Sequence, residues 1–252
     1  MISGLYAAAT GMIAVEHRQA VIANNISNAA TPGFKRQLPV DKGFYQLLFQ
    51  RMRHPFWANR VTGPGGGLQI NETFTDHAMG PLMQTGNPLD IALQGPGFIV
   101  VNTPAGERLT RNGHLAVDAD GRLMTVDGHQ VQDINGGGID AVGGPIMINR
   151  DGTVLVDGAP VGRIRIVEFD NPHMLNREGH DMYRPTAAAM EQSIPAADTD
   201  VISESLESAN VQLPTEMINM ILGVRSYEAN QRVINSVDET IGRLIDQVGM
   251  PL

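Results

Sequence analysis

Near the amino terminus, Leu5, Ala8, Met12, Val15, Gln19, Ile22 and Ile26 are spaced alternately by three and four, the step that lays one stripe along one side of an α-helix. The stripe is apolar except for Gln19, and Thr10, His17, Arg18 and Asn24 fall on the opposite side. An amphipathic helix of about 25 residues, ~38 Å long, is predicted. It stops at Thr31-Pro-Gly-Phe34, where proline removes a backbone donor and glycine tolerates positive φ, while Asn24, Asn25, Ser27 and Asn28 offer side-chain bonds to nearby backbone. The carboxyl end has the same rhythm: Met217, Met220, Val224, Tyr227, Gln231, Ile234, Asp238, Ile241, Ile245 and Val248 follow Pro214, which suits a first helical turn. This second helix would run about 35 residues and ~50 Å, with Gly223 and Gly242 each costing ~1 kcal/mol relative to Ala. Either stripe would be a long apolar strip in water if its helix stood alone, so the helices are expected to pack on each other or on neighbouring chains. Gln19, Gln231 and Asp238 are candidates to fix a register there, or simply exposed positions on a fraying seam.

Between these ends the pattern changes to short runs with period two. Ile91–Leu93, Gly97–Asn102, Arg108–Arg111, His114–Val117, Arg122–Val126, Pro145–Ile148, Thr153–Val156 and Arg163–Phe169 read as strands. Asn112-Gly113, Asp120-Gly121, Asp127-Gly128, Asp151-Gly152 and Asp157-Gly158 separate them and are the dipeptides that tight hairpins favour. An antiparallel β domain follows over 70–190. Residues 35–69, with a glycine-rich stretch at 63–67, read as an extended arm, and Trp57 as an anchor pinning that arm to the β domain. Residues 187–208, acidic and short of large apolar groups, read as a second linker.

Composition narrows the chemistry. The 252 residues are 42% hydrophobic, enough for a substantial core, and no run approaches the ~18–20 apolar residues of a membrane span. Eighteen Lys and Arg against 27 Asp and Glu give a net charge of −9, the wrong sign for gripping nucleic acid or an anionic membrane. Without cysteine there is no disulfide framework, thiolate metal site or cysteine nucleophile. The opening residues are apolar but no Lys or Arg precedes Arg18, so they read as a mature amino terminus rather than a cleaved leader.

Candidate catalytic constellations fail in turn. The seven histidines form no HExxH and no pair three or four apart, no serine lies in GxSxG, and no phosphate-binding loop is present. Asp118-Ala-Asp-Gly121 places its glycine too early for a calcium loop and reads as a hairpin turn. Asp198, Asp200, Glu204 and Glu207 could supply the paired acids of a glycosidase, but they read more simply as the solvated face of a linker. No catalytic, cofactor-binding or metal-binding residue is assigned. A protein with two apolar seams, a β body and no chemistry is expected to work by assembly, joining unlike surfaces head to tail into a helical filament.

The motifs then carry a resemblance. Ser3-Gly-Leu-Tyr-Ala-Ala-Ala-Thr-Gly-Met12, Ala23-Asn-Asn-Ile-Ser-Asn28 and Thr31-Pro-Gly-Phe-Lys35 resemble the amino-terminal signature of the bacterial flagellar rod and hook axial proteins. Leu89–Leu93 with Gly95–Phe98, Thr110–Gly113 with Asp118–Gly121, Val161–Ile166, and Glu207–Val211 with Glu216–Ile221 and Arg225–Glu228 are similar to later blocks of that family, in the same order. One departure is Gly223-Val224, where the family usually has glutamine before the arginine.

The resemblance implies a structural subunit of the basal-body rod, exported through the flagellar type III apparatus without a cleaved signal and placed in the periplasmic shaft that carries torque. It implies an α+β fold in which long amino- and carboxyl-terminal helices pair as a coiled coil, the inner layer around the export channel, with a central antiparallel all-β domain outside. The corresponding segments are 1–34 for the first helix and its turn, 35–69 for the arm, 70–190 for the β domain, 191–213 for the linker and 214–252 for the second helix. Leu5, Met12, Val15, Ile22, Ile26, Met217, Met220, Val224, Tyr227, Ile234, Ile241 and Ile245 are the expected assembly interface. Asn24, Asn25, Asn28, Thr31, Pro32, Gly33 and Phe34 form the signature turn. Implied partners are copies of the chain, other rod and hook axial proteins, the export apparatus and surrounding ring proteins. Asn235-Ser-Val-Asp-Glu239 with Gly242-Arg243 is similar to the proximal-rod subunit, and Phe34-Lys-Arg-Gln37 with Gly67-Leu-Gln-Ile70 to the distal one, with the proximal type slightly favoured. The alternative expectations are a cell-surface β-rich adhesion module oligomerised by its helices, or a peptidoglycan-cutting enzyme, which would need a rigid acid pair or a metal.

Overall fold

The computed structural model describes residues 2–43, 68–179, 181–186, 194–195 and 199–248. The expected anchor Trp57 lies outside the described residues. Two compact units result: the first comprises Met1–Ile26, Gln37–Phe74 and Gln212–Leu252, and the second comprises Ser27–Arg36 and Thr75–Val211.

In the first unit, helix α1 spans Ile2–Ser27 and helix α2 spans Leu213–Val248. Strands β1 (Gln37–Gly43) and β2 (Leu68–Thr75) pair with each other. A Cβ placed on Gly11 of α1 would lie 3.2 Å from Asn230 Nδ2 of α2, and one on Gly223 of α2 would lie 3.2 Å from Gln19 Nε2 of α1. The two approaches run in opposite senses along the chain, so the helices lie antiparallel where they meet. Gly223, a liability by helix propensity, admits the Gln19 side chain against the helix backbone. Gly242 has open space instead, and nothing in the structure explains it.

The second unit is antiparallel β. Its strands are β3 (Leu82–Gln84), β4 (Ile91–Gln94), β5 (Phe98–Thr103), β6 (Gly106–Thr110), β7 (Leu115–Val117), β8 (Leu123–Thr125), β9 (Gln130–Val131), β10 (Ile146–Ile148), β11 (Thr153–Val156), β12 (Ala159–Arg163), β13 (Ile166–Glu168), β14 (Leu175–Glu178), β15 (Met182–Pro185), β16 (Ile194–Pro195), β17 (Asp200–Ser203) and β18 (Ser205–Glu207). The main sheet runs β14-β15-β6-β5-β9-β8-β7, with β13 joining β5 to β16. Strands β10 to β12 form a meander, and β4 pairs with β17 as β3 does with β18.

Strand β5 explains why the run Phe98-Ile-Val-Val101 is apolar without alternation: all four side chains are buried, because both faces of the sheet are covered. Ile99 and Val101 join Ile91, Leu123, Ile139 and Val154 in one core, and Phe98 and Val100 join Leu109, Phe169 and Tyr183 in another. The period-two alternation therefore sorts consecutive residues between two cores.

Turn chemistry follows the sequence in most places. Asp157 (φ 54°) and Gly158 (φ 81°) make the two-residue hairpin between β11 and β12, both in the positive-φ region that such a turn requires. Asp118 accepts from the Asp120 and Arg122 amides at 2.9 and 2.8 Å and closes the β7–β8 turn. Asn112-Gly113 differs: rather than a hairpin turn, Gly113 carries the chain past Ile91, whose amide donates to the Gly113 carbonyl at 3.0 Å. A Cβ there would stand 1.8 Å from the Ile91 carbonyl oxygen, so the glycine serves close approach of two backbones. The acidic segment expected to be a linker also differs, since β17 and β18 lie within it. Val201 and Leu206 are buried there, and these two with Ile202 amid small and acidic residues were too weak a pattern to register as strand.

Candidate functional site

Along α1, Ala8, Gly11, Ala14, Val15, Val21, Ile22 and Asn25 are buried. Of the expected interface, Val15 and Ile22 belong to that buried edge, Met12 and Ile26 are half-buried, and Leu5 is exposed. On α2 the buried positions are Glu216 and Gly223, followed by half-buried Asn230, Ile234, Val237 and Ile241. Met220 is half-buried, whereas Met217 is 57% exposed, Val224 44% and Tyr227 42%, and the Ile245 side chain is outside the described set. Gln231 and Asp238 are exposed. Leu213, Ile218, Ile221 and Leu222 add further exposed apolar area to the first turns of α2, residues the spacing pattern did not single out.

The signature turn begins in the first unit with Asn25, whose amide takes both hydrogen bonds of Gln37: Nδ2 donates to the Gln37 carbonyl at 2.8 Å and Oδ1 accepts from its amide at 2.9 Å. This side chain replaces a neighbouring strand at the start of β1. Asn24 is exposed. The remaining signature residues belong to the second unit. Asn28 is buried, the Thr31 amide donates to its carbonyl at 3.1 Å, and the Phe34 amide donates to the Thr31 carbonyl at 3.3 Å, closing a turn around half-buried Pro32 and buried Gly33. Asn28 and Thr31 also line an open cleft of about 510 Å³ with Asp127, His129 and Asp181.

Gly33 (φ 71°) is pressed on the backbone of Arg111, where an added Cβ would come within 2.4 Å of the carbonyl carbon. The Gly33 amide donates to the Glu207 carbonyl at 2.7 Å. Phe34 is fully buried, with the Arg177 guanidinium 4.2 Å above its ring, and Arg177 Nη1 donates to the Lys35 carbonyl at 3.0 Å.

Beyond Phe34 lies a buried charged cluster. Lys35 and Glu207 are each 1% exposed, and Lys35 Nζ donates to Glu207 Oε1 at 2.6 Å and to the Ala78 carbonyl at 2.8 Å. Glu207 Oε1 also accepts from the Gly80 amide at 2.8 Å. Arg111 reaches Glu207 Oε2 at 3.5 Å and donates to the Gly95 carbonyl at 2.7 Å. One carboxylate thus serves two cations. Burial holds both the Lys35 ammonium and the Arg111 guanidinium below their ordinary pKa ranges, with Glu207 opposing the shift in each case. Asn210 completes the cluster: its Oδ1 accepts from the Arg36 amide at 2.6 Å, and Nδ2 donates to the Asp76 carbonyl at 2.9 Å.

Beside the cluster, His77 packs on Phe98, Tyr183 and His173 at ring separations of 5.9, 5.5 and 5.8 Å. Burial pushes its pKa down to about 4, and His173, Lys35 and Arg111 add to the shift. Tyr183 is pushed up to about 12, again by burial. Sequence reading missed the pairing of Lys35 with Glu207, which lie 172 residues apart. Lys35, Arg111, Glu207 and Asn210 all fall inside the quoted motif blocks, and that shared membership was the available signal. Among the described residues no group of three or more His, Asp or Glu side chains is placed to hold a metal, and no helix is long and apolar enough to cross a membrane.

Comparison with known proteins gives these motifs a common origin. Residues 5–35 match the family model described as flagella basal body rod protein. Residues 92–156 match that of the flagellar hook protein FlgE/F/G D1 domain, and residues 202–247 that of the flagellar basal body rod FlgEFG protein C-terminal. The flagellar basal-body rod protein FlgG of Bacillus subtilis is 31% identical over 98% of this chain and 99% of its own length. The chain belongs to the flagellar basal-body rod protein family. The FlgG of Agrobacterium fabrum is 34% identical over 92% of the chain and 94% of its own length, and the rod protein FlgF of Caulobacter vibrioides is 29% identical over 99% of each. All three matched regions contain parts of the site just described: α1 with Lys35, strands β4 to β11 with Arg111, and Glu207 with α2.

Proposed function

We propose that this chain is a structural subunit of the flagellar basal-body rod that polymerises through its terminal helices, the two pairing as a coiled coil in the inner layer of a torque-bearing shaft. The observation that carries this reading is the exposed apolar surface of α2: Met217, Ile218, Ile221, Leu222 and Val224 are all more than 40% exposed on a helix whose other edge meets α1. Five large apolar side chains in water within two turns are unfavourable by roughly 1–2 kcal/mol each relative to a buried state, which favours their burial against other subunits. The antiparallel approach of Gly11 to Asn230 and of Gly223 to Gln19 supports the pairing of the two helices. Leu5, Met12, Val15, Ile22 and Ile26, with Met217, Met220, Val224, Tyr227, Ile234, Ile241 and Ile245, are the proposed interface residues.

Other axial proteins of the rod and hook are the proposed neighbours, with passage through the export apparatus and contact with the surrounding periplasmic rings as further parts of the same reading. Asn235–Glu239 with Gly242-Arg243 favours the proximal rod. The test is incorporation. Val224→Asp adds a charge at an exposed position, so the isolated chain should unfold within about 0.5 kcal/mol of wild type. The variant should nevertheless be absent from purified hook–basal bodies; normal incorporation would count against the interface. Met12→Asp, at a half-buried position, tests the other helix, provided the β unit keeps its wild-type melt.

A further inference from the structure

We infer that Lys35, Glu207 and Arg111 are positioning residues for assembly, a buried electrostatic register that fixes how the two chain segments leading to the terminal helices leave the β unit. The inference rests on the rod reading and adds to it the residues that set the subunit's exit geometry. Segments 27–36 and 205–211 run directly into or out of the helices, and within the β unit they are bonded to each other. Gly33 donates to the Glu207 carbonyl at 2.7 Å, Asn210 to the Phe34 carbonyl at 3.4 Å, and Arg36 to Asn210 Oδ1 at 2.6 Å.

A buried ion pair is a poor device for stability alone, since an apolar pair of similar volume is often as stable or more so. What it supplies is discrimination. Lys35 Nζ meets the Ala78 carbonyl and Glu207 Oε1 at once, and that same oxygen takes the Gly80 amide while Oε2 faces Arg111. A slip of one strand residue, ~3.3 Å, would leave two cations and a carboxylate unpaired in a buried site. An apolar contact would tolerate the same slip. Two glycines let the segments come this close, because a Cβ at Gly33 would strike Arg111 and one at Gly80 would lie within 1.9 Å of the Ser208 carbonyl oxygen. In a helical polymer every subunit repeats the same geometry, so an error at the exits recurs at each step.

The chain contains no cysteine, so spin labels can be placed at Ala30 and Val211 without background. The wild-type protein should give one narrow interlabel distance. In the double variant Lys35→Met with Glu207→Gln, which removes the pair's charges and keeps an acceptor for Gly80, the melt should stay cooperative. Its distance distribution should broaden about twofold, and its copies per hook–basal body should fall about tenfold. Lys35→Arg alone, which keeps a cation beside Glu207, should leave both close to their wild-type values. If the double variant loses its cooperative melt, Lys35→Gln carries the same test. A narrow distribution, or wild-type incorporation despite a broad one, would overturn the positioning role. Absence of the wild-type chain itself from basal bodies would instead remove the rod reading on which this role rests.

Discussion

Gly33 and His77 show how much single positions around the charged cluster constrain. Gly33 has φ of 71° and its α-carbon faces the Arg111 backbone, so Gly33→Ala adds both backbone strain and a collision. A loss of at least ~2 kcal/mol is expected, about 4–8 °C in the melting temperature of a β unit this size, measurable by calorimetry. Gly137→Ala, with open space and no positive φ, should change little and serves as the control. His77 carries a pH dependence whose sign follows from its lowered pKa. Above the ordinary value of 6.5 the ring is neutral in both states and contributes no slope. Between 6.5 and about 4 the unfolded chain takes up a proton that the folded one refuses, so stability falls as pH falls through that window. His173, Lys35, Arg111 and Asp76 are the charged or titratable groups acting on the ring, and their net effect is to disfavour the imidazolium. Because the ring is only partly buried, the effect is discounted to ~1–2 kcal/mol, and His77→Phe should flatten the urea-unfolding profile over that window. Legibility at this scale was uneven. Glycine and asparagine at the signature turn were readable from local chemistry, whereas the burial of Lys35 and Glu207 was not. Nothing near either residue in the chain indicates a partner 172 positions away.

At the level of elements, terminal helices and hairpins were the most readable parts, because each rests on a local period. The alternating three-and-four step located α1 and α2, and Asp157-Gly158 located a hairpin to the residue. Which edge of each helix is buried could not be read that way. Gly223 and Asn230 lie against α1 while Met217 and Val224 are exposed, since small and amide side chains permit close approach where the larger apolar ones would hold the helices apart. Strands β17 and β18 were missed because they contain only Val201, Ile202 and Leu206 as large apolar residues and draw their pairing from β4 and β3, about 110 to 125 residues earlier. The central strand β5 carries a sharper prediction. Ile99 is fully buried in the core that also holds Leu123 and Val154, so Ile99→Ala should cost ~2–5 kcal/mol in urea unfolding. A loss under 1 kcal/mol would mean that the core closes around the missing atoms.

For the whole molecule, the two ends of the chain carry the proposed assembly surfaces. Charge and the absence of cysteine argued against nucleic-acid binding and cysteine chemistry, but they could not distinguish an assembling subunit from an adhesion module; the ordered set of motifs did, and the family matches over 5–35, 92–156 and 202–247 follow those motifs. The β unit contributes two buried cores, and α1 and α2 present the surfaces that other subunits are proposed to cover. The most direct test is to purify hook–basal bodies from cells producing either the wild-type chain or Val224→Asp, and to count the chain by quantitative mass spectrometry against ring and hook subunits. The wild-type chain is expected at fixed stoichiometry and the variant missing, although its β unit folds normally. Absence of the wild-type chain, or equal incorporation of the variant, would contradict this reading.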